Sequence, residues 1–169
     1  YQNILEVRAV AGDNYLGGED FTKVLEKMFL NKKGISANAL TAKEQVRLYR
    51  QAEEAKRRIN DADKVEITCL IKEEPETVEI TTKDYAEECE DLFSKIREPV
   101  KRSLSDAGLS LKDIDEVVLI GGATKLQIFR DFFIRLFHKF PDTSINPDEA
   151  VALGAAIQGA MKERKQAVK

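Results

Sequence analysis

The strongest indication of the fold is the stretch Glu116-Val117-Val118-Leu119-Ile120-Gly121-Gly122. Its unbroken apolar run has the length of a strand and is bounded by two glycines, which predicts a buried central strand that ends in a tight turn. A helix is predicted to follow, from about Lys125 to Phe137. A buried strand that leads directly into a helix is typical of α/β proteins. We therefore predict an α/β fold with this strand at its centre.

A second turn of the same kind lies near the start of the chain. Residues Asn3–Val10 alternate with a period of two and are apolar at most positions, which predicts another covered strand. Gly17-Gly18 then leads into a helix predicted from about Asp20 to Lys33, and Gly34 is suited to end it. Glycine lets the backbone approach a ligand, and a helix N-terminus attracts phosphate. One such turn is most simply a structural feature, whereas two favour a nucleotide or another phosphate ester.

A helix and a hairpin are predicted between these two turns. Thr41-Ala42-Lys43-Glu44 has the pattern of a capping box, so a helix is expected to start there and run to about Asn60. Alternating apolar residues then predict strands at Val65–Ile71 and Val78–Thr81, joined by a loop over Lys72–Thr77 that contains a proline.

Two further helices complete the predicted order of elements. A long helix is expected from about Thr82 to Gly108, and Pro99 should kink it or split it. Another is expected to begin at Asn146-Pro147-Asp148-Glu149, which supplies an N-cap residue, a proline and two acids. The predicted domains are a lobe core over residues 1–30 and 83–169, incomplete at its N-terminal side, and an inserted α+β subdomain over residues 31–82.

One face of the helix that follows Thr41 combines an acid, two bases and an amide. Glu53, Lys56, Arg57 and Asn60 have the i, i+3, i+4, i+7 spacing that brings side chains together. On spacing alone, a solvated face with an ion pair is the favoured interpretation. The functional alternative is a nucleotide clamp, because a carboxylate and an ammonium suit ribose hydroxyls and a guanidinium can stack on a base.

Composition excludes several classes of protein. The chain has 169 residues, 43% of them hydrophobic and 34% charged, with a net charge of -3. This balance favours a globular domain and disfavours a nucleic-acid binder or a membrane span. Cys69, Cys89 and His138 are the only residues of their types, so we predict no metal site, and no catalytic nucleophile–base pair is evident. We expect a cytoplasmic location and, because Tyr1 stands first, a piece of a longer protein.

Four segments, in this order along the chain, resemble the 70-kilodalton heat-shock (DnaK-type) chaperone family. They are Gly12-Asp13-Asn14-Tyr15-Leu16-Gly17-Gly18-Glu19-Asp20-Phe21, Glu53-x-Ala55-Lys56-Arg57, Val118–Lys125 and Asn146–Ala156. The resemblance spans nearly the whole chain. It implies the second lobe of the family's nucleotide-binding domain, which has an actin-like ATPase (ribonuclease H-like) fold. In its Asn14-Tyr15 variant and its short hairpin, the chain resembles a divergent bacterial member of this family.

The resemblance also implies an ATP or ADP site in a cleft between two lobes. By this resemblance Glu53 and Lys56 would hold the ribose hydroxyls, and Arg57 and Lys125 would flank the adenine. Asn60 would stand where a serine commonly hydrogen-bonds the base. The resemblance therefore favours the clamp interpretation of this helix face.

The glycine turns have a place in the same implied site. Gly121, Gly122 and Ala123 would approach the sugar and the α- and β-phosphates, with Gly18 nearby and Asp148 behind the residues in contact. Three positions depart from the family pattern: Lys125 replaces an arginine, Gln127 a proline and Asn60 a serine. A lysine stacks less well on a ring than an arginine does.

The resemblance puts the catalytic parts of the ATPase outside this sequence, in the first lobe and just upstream of Tyr1. We therefore expect no ATP hydrolysis by the chain alone, whereas the intact parent would be an ATPase that uses Mg²⁺. The implied partners are the first lobe, a substrate-binding domain, a nucleotide-exchange factor and a J-domain co-chaperone. Two alternatives stay open: a docking module for an exchange factor, and a lobe of another actin-like ATPase such as a sugar kinase.

Overall fold

The structure is a computed structural model that describes residues 5–166, and it divides into two compact units between Ser110 and Leu111. The first unit contains α1 (Gly18–Lys33), α2 (Ala42–Arg58), β1 (Lys64–Ile71), β2 (Glu74–Thr81), α3 (Thr82–Glu88) and α4 (Glu90–Ala107). The second contains α5 (Gln127–Phe137) and α6 (Ala150–Gln166). Short 3₁₀ turns occur at Ala37–Ala39, Ile59–Asp61, Leu111–Asp113 and Gly122–Lys125.

Helix α1 forms where the sequence predicts it and supplies much of the core of the first unit. Its first turn is held by Asp20, whose Oδ2 accepts a hydrogen bond from the Gly17 amide at 2.8 Å. Its end is closed by Gly34, which has φ of 65° and is therefore in the left-handed region that glycine tolerates best. Phe21, Leu25 and Phe29 are almost completely buried. The predicted helix is confirmed.

Helix α2 begins at the predicted capping box. Thr41 Oγ1 accepts a hydrogen bond from the Glu44 amide at 3.2 Å, and Glu44 Oε2 accepts one from the Thr41 amide at 3.0 Å. The other oxygen of Glu44 accepts a hydrogen bond from the Lys72 amide at 3.0 Å, in the turn of the hairpin. Hydrogen bonds from the Lys72 and Thr41 amides hold the pKa of Glu44 below its ordinary value. One carboxylate thus connects the start of α2 to the hairpin.

The hairpin is tighter than the sequence predicts. Strands β1 and β2 pair in antiparallel register from Lys64–Thr81 to Ile71–Glu74, so only Lys72 and Glu73 form the turn. Both have positive φ, 51° and 67°, as a two-residue turn with the twist of its strands requires. The predicted loop over residues 72–77 is therefore wrong. Pro75 lies within β2 at a pair that exchanges no hydrogen bonds, next to the closing pair, so its missing N–H is not needed.

One face of the hairpin packs against the helices. Alternate residues of β1 are buried, as the period of two predicts, and they are Val65, Ile67, Cys69 and Ile71. From β2, Val78 and Ile80 are buried. Strand β1 packs against α2, and β2 packs against α1. The two cysteines, Cys69 and Cys89, are both buried thiols, and burial raises the pKa of each.

The long helix after the hairpin is split, but not at its proline. The break falls at Cys89, between α3 and α4, whereas α4 continues through Pro99. The predicted split at Pro99 is therefore wrong, whereas a kink at this residue stays a prediction. Around the break, Tyr85 and Phe93 are buried against α1, and the Tyr85 hydroxyl donates a hydrogen bond to the Phe21 carbonyl at 2.9 Å. Tertiary packing at this point sets the helix boundary.

Neither predicted long strand outside the hairpin is present in the described residues. Residues 5–10 are in extended or irregular conformation, with Leu5, Val7 and Val10 all more than 80% exposed; Asn3 and Ile4 lie outside the described part. In residues 116–120, Val118 forms an isolated parallel bridge with Asp142, and Val118 and Ile120 are about half exposed. A strand needs a neighbour along its whole length for its N–H and C=O groups; within residues 5–166 the first segment pairs with no strand and the second has only the bridge at Val118.

Both helices of the second unit form close to their predicted positions. Helix α5 begins at Gln127 and ends at Phe137, with His138 as its C-cap, and it buries Ile128, Phe132 and Phe133. The regular part of α6 begins at Ala150, after a turn over residues 147–149. That turn starts at Asn146, which accepts hydrogen bonds from the Asp148 amide at its Oδ1 (3.0 Å) and from the Ala150 amide at its carbonyl (3.0 Å). Asn146 thus has the predicted capping role.

Candidate nucleotide-binding residues

In the first unit, three of the predicted site residues meet at a buried threonine. Lys56 Nζ lies 2.7 Å from Glu53 Oε1, 2.7 Å from Thr22 Oγ1 and 3.1 Å from the Gly18 carbonyl oxygen. Thr22 Oγ1 also hydrogen-bonds Glu53 Oε1. Three protons and three acceptors satisfy the ammonium group fully. The cluster joins the first turn of α1 to the last turns of α2.

The electrostatics of this cluster favour a charged pair. Burial of Glu53 acts to raise its pKa, but hydrogen bonds from Lys56 and Thr22 outweigh burial and hold the pKa below its ordinary value. Only 25% of the Glu53 side chain and 15% of the Lys56 side chain are exposed. Burial, together with the negative charge of Glu53, raises the pKa of the nearby Tyr49 hydroxyl. Glu53 is thus a fixed carboxylate near the surface of the unit.

The four-residue face predicted on α2 does not act as one surface. Glu53 and Lys56 turn towards α1, whereas Arg57 is exposed. The positive charge of Arg57 still contributes to lowering the pKa of Glu53. Asn60 is half-buried and lies in the 3₁₀ turn that follows α2, beyond the end of the helix on which the face was predicted. The structure therefore brings Gly18, Glu53 and Lys56 into contact and leaves Arg57 at the edge of the group.

In the second unit, the glycine turn is closed by a threonine that sequence reasoning missed. Thr124 Oγ1 donates to the Gly121 carbonyl at 2.6 Å, and the Thr124 amide donates to the same oxygen at 3.1 Å. Arg130 Nε binds the Thr124 carbonyl at 2.9 Å, and the Gly121 amide binds the Pro147 carbonyl at 3.0 Å. The amides of Gly122 and Ala123 take no part in these hydrogen bonds.

A second acid–base pair flanks this turn. Lys125 Nζ lies 2.5 Å from Asp148 Oδ2, and the two side chains are 56% and 50% exposed. An ion pair this exposed contributes little to stability, about 0–1 kcal/mol. The contact nevertheless brings together two residues that are 23 positions apart, both from the predicted site. Asp148 is held from its own side by the Asn146 cap.

The glycines of the two turns differ in what the fold requires of them. Gly121 has φ of 94° and ψ of 159°, a conformation essentially limited to glycine. At Gly122 and Gly17, a side chain would have an ordinary φ and would meet no atom within 4 Å. The backbone therefore requires glycine at 121, whereas open space lies beside Gly122 and Gly17.

Two sets of predicted residues thus exist, one in each unit. The first is Gly18, Glu53, Lys56, Arg57 and Asn60, and the second is Gly121, Gly122, Ala123, Lys125 and Asp148. Sequence reasoning missed Thr22, Tyr49 and Thr124. The spacing of Thr22 from Gly18, i to i+4 in a helix, was a signal that could have revealed the first of these. Tyr49 precedes Glu53 by the same interval.

A metal-binding cluster and a membrane-spanning helix are both absent from the described residues, 5–166. No group of three or more His, Cys, Asp or Glu residues that could hold a metal ion occurs among them. Within the same residues, no helix combines the length and apolar character that crossing a membrane requires.

The known proteins named below, to which this chain is similar, carry heat-shock or DnaK chaperone names. A family model described as "Hsp70 protein" matches residues 2–169. A "Heat shock 70 kDa protein" of Penicillium citrinum is 39% identical over 168 residues, which cover 95% of this chain and 33% of the relative. "Chaperone protein dnaK" of Trieres chinensis is 39% identical, with 94% of this chain and 27% of the relative covered. "Heat shock 70 kDa protein 7, chloroplastic" of Arabidopsis thaliana is 37% identical, with 94% and 23% covered.

These matches define the class as 70-kilodalton heat-shock chaperones. The chain belongs to the Hsp70 family. The resemblance drawn from its four segments is therefore confirmed, and the alternative of a sugar kinase is left without support. The chain spans a third or less of the length of the relatives named above. One of those relatives is chloroplastic, so the cytoplasmic location of this protein stays a prediction, as does a bacterial origin.

Proposed function

We propose that this chain is the adenosine-binding lobe of an Hsp70 ATPase domain and that it does not hydrolyse ATP alone. The observation that carries the proposal is the match of the Hsp70 family model to residues 2–169. In this proposal the lobe has an actin-like core over residues 1–30 and 83–169, and residues 31–82 form the inserted subdomain. The intact protein would add the first lobe, a substrate-binding domain and the Mg²⁺ that accompanies ATP.

The geometry of the first unit supports a role in binding ribose. A sugar diol is recognised best by a carboxylate that accepts its protons and a cation that donates to its oxygens. Glu53 and Lys56 supply these two groups 2.7 Å apart at a partly exposed position. A sugar oxygen would replace the Gly18 carbonyl, at 3.1 Å the most distant of the three protein acceptors of Lys56. Their attachment to α1 fixes both before a ligand arrives, which lowers the entropic cost of binding. Arg57, exposed beside them, would stack on the adenine.

In the second unit, the glycine turn supports a role near the sugar and phosphates. The Gly122 and Ala123 amides are available to oxygen acceptors, and the absence of a side chain at Gly122 lets a ligand approach the backbone. By the family resemblance Lys125 would contact the adenine, and Asp148 would hold its ammonium group in place. Asn60, which belongs to the first unit, would hydrogen-bond the base.

We expect ADP to shift the NMR amide resonances of residues 53–60 and 121–125 in the 169-residue chain. Arg57→Ala should weaken this binding by about fivefold to tenfold, because the lost stacking cation contributes about 1 kcal/mol. The matched control is Arg50→Ala, which removes an exposed arginine two helical turns earlier on α2. Equal loss of binding in both variants would contradict the clamp.

A second candidate function is suggested by the outer surface of α2. Lys43 and Arg50 are exposed there, together with Val46 (53% exposed). A mixed basic and apolar patch of this kind suits a protein partner, such as a nucleotide-exchange factor. A folded chain that shows no shifts at millimolar ADP would contradict the adenosine site and favour this docking role.

The isolated chain is expected to release no phosphate from ATP. The resemblance puts the catalytic lysine, glutamate and phosphate loops outside this sequence, so the attacking water would have no positioned partner. The measurement is phosphate release from MgATP by the purified chain against a blank without protein. Magnesium-dependent turnover that co-purifies with the chain and exceeds the blank would contradict this prediction.

A further inference from the structure

Thr22 is the most completely buried polar residue at the proposed ribose site, with 0% exposure. It lies in the first turns of α1, a helix on which Phe21 and Leu25 are also buried. A buried hydroxyl is costly unless its hydrogen bonds are made. Its contacts therefore indicate why a threonine stands here.

The hydroxyl of Thr22 uses both its acceptor and its donor capacity within the cluster. It accepts a hydrogen bond from Lys56 Nζ at 2.7 Å. Because an ionised carboxylate can only accept hydrogen bonds, the hydroxyl donates its own hydrogen bond to Glu53 Oε1. The Gly18 carbonyl, 3.4 Å away, is the more distant acceptor. Lys56 donates a hydrogen bond to that same carboxylate oxygen, so the hydroxyl, the carboxylate and the ammonium group all contact one another.

We propose that the Thr22 hydroxyl is a positioning group that holds the Glu53 carboxylate and the Lys56 ammonium in the orientation needed to bind a ribose diol. This inference rests on the proposed function. Without the hydroxyl, Lys56 would lose one of its three acceptors and Glu53 one of its donors. Both side chains are long, and each would then sample other rotamers at the surface. Thr22 itself, being buried, would not touch the nucleotide.

The test compares two ligands that differ only at the sugar: ADP and 2′,3′-dideoxy-ADP. The wild-type chain should bind ADP more tightly than the dideoxy analogue, because only ADP offers the diol. In Thr22→Val, which keeps the side-chain shape and removes the hydroxyl, ADP binding should weaken by about tenfold. Binding of the dideoxy analogue should stay within about twofold of wild type. Thr22→Ser, which retains the hydroxyl, should restore the preference for ADP.

The outcomes separate a positioning role from a purely structural one. Equal weakening towards both ligands in Thr22→Val would mean general damage to the fold and would overturn the proposal. A full preference for ADP in that variant would also overturn it. If Thr22→Val does not fold, Thr22→Ala and Thr22→Ser give the same comparison, since both lack the methyl group and only serine keeps the hydroxyl.

A readout without nucleotide separates this proposal from the function on which it rests. The pKa of Glu53, followed by carbon NMR of its carboxyl group, should rise in Thr22→Val because a hydrogen bond that lowers it is lost, and should return in Thr22→Ser. An unchanged titration in Thr22→Val would overturn the positioning role whatever the ligands do. If the wild-type chain binds neither ligand, the proposed adenosine site fails and the ribose role of Thr22 fails with it. A raised pKa would then still establish that Thr22 orients Glu53.

Discussion

Replacing Phe21 by alanine should lower the free energy of unfolding of the first unit by about 3–5 kcal/mol. Phe21 is 1% exposed, and its ring centroid lies 5.7 Å from that of Phe93 on α4. Truncation would remove this ring contact and leave a cavity beside α1. The carbonyl that binds the Tyr85 hydroxyl belongs to the same residue, so backbone movement into the cavity would disturb that bond as well. Urea denaturation followed by circular dichroism would measure the loss.

The control for this variant is Tyr15→Ala, which removes a large aromatic ring from the same part of the sequence. Tyr15 is 93% exposed, so its truncation should change the free energy of unfolding by less than about 0.5 kcal/mol. A loss of under about 1 kcal/mol in Phe21→Ala would mean that the site repacks without a cavity and that Phe21 does not support the core as described.

The second large effect is expected on nucleotide affinity, from a single methyl group at Gly122. Gly122→Ala should weaken ADP binding by about tenfold or more, because the proposed site needs the ligand close to this backbone and a steric overlap there costs about 1–3 kcal/mol. The fold itself should tolerate the change, since nothing lies within 4 Å of the added Cβ. The measurement is an ADP titration, with the free energy of unfolding determined on the same sample.

The neighbouring Gly121→Ala provides the contrasting variant. At φ of 94° an alanine is strained, and this should cost about 1–3 kcal/mol of stability. The two variants should therefore have different effects: Gly122→Ala should lose ADP affinity and keep its stability, whereas Gly121→Ala should lose stability. Wild-type ADP affinity in Gly122→Ala would contradict a ligand at this turn.

The helices could be predicted from the sequence because their signals are local. The capping box at Thr41 and the glycine at position 34 act within a few residues of the helix ends that they define. The split at Cys89 could not be predicted in this way, because it depends on how Tyr85 and Phe93 pack against α1. Pro99, the stronger local signal, is accommodated within α4.

The strands show the opposite limit. An apolar run such as residues 116–120 indicates that a segment can form a strand, but pairing depends on a distant partner, and here only the Val118–Asp142 bridge forms. In the hairpin the partner is adjacent in sequence, so the prediction succeeds apart from the turn. Pro75 suggested a loop because a proline cannot donate a hydrogen bond to a neighbouring strand. That its position in β2 requires no N–H becomes evident only once the register of the two strands is known.

The candidate site could be predicted only in part. The family motifs identify Glu53 and Lys56, and helical spacing puts them on one face. Neither reveals that both side chains turn inwards onto a threonine from another helix. The domain boundaries proposed at residues 31–82 stay a prediction, and in the structure α1 packs against α2 and β2 within one unit.

The two-residue turn of the hairpin has a consequence for tolerance of insertions. Side chains of β1 alternate strictly between the core and water, so a change of register by one residue exchanges the two faces. An extra residue between Ile71 and Glu74 that moved the register would present Thr68 and Glu66 to α2 and put Ile67 in solvent. Longer loops are accommodated at many protein surfaces, but in this hairpin the number of residues in the turn determines which side chains enter the core.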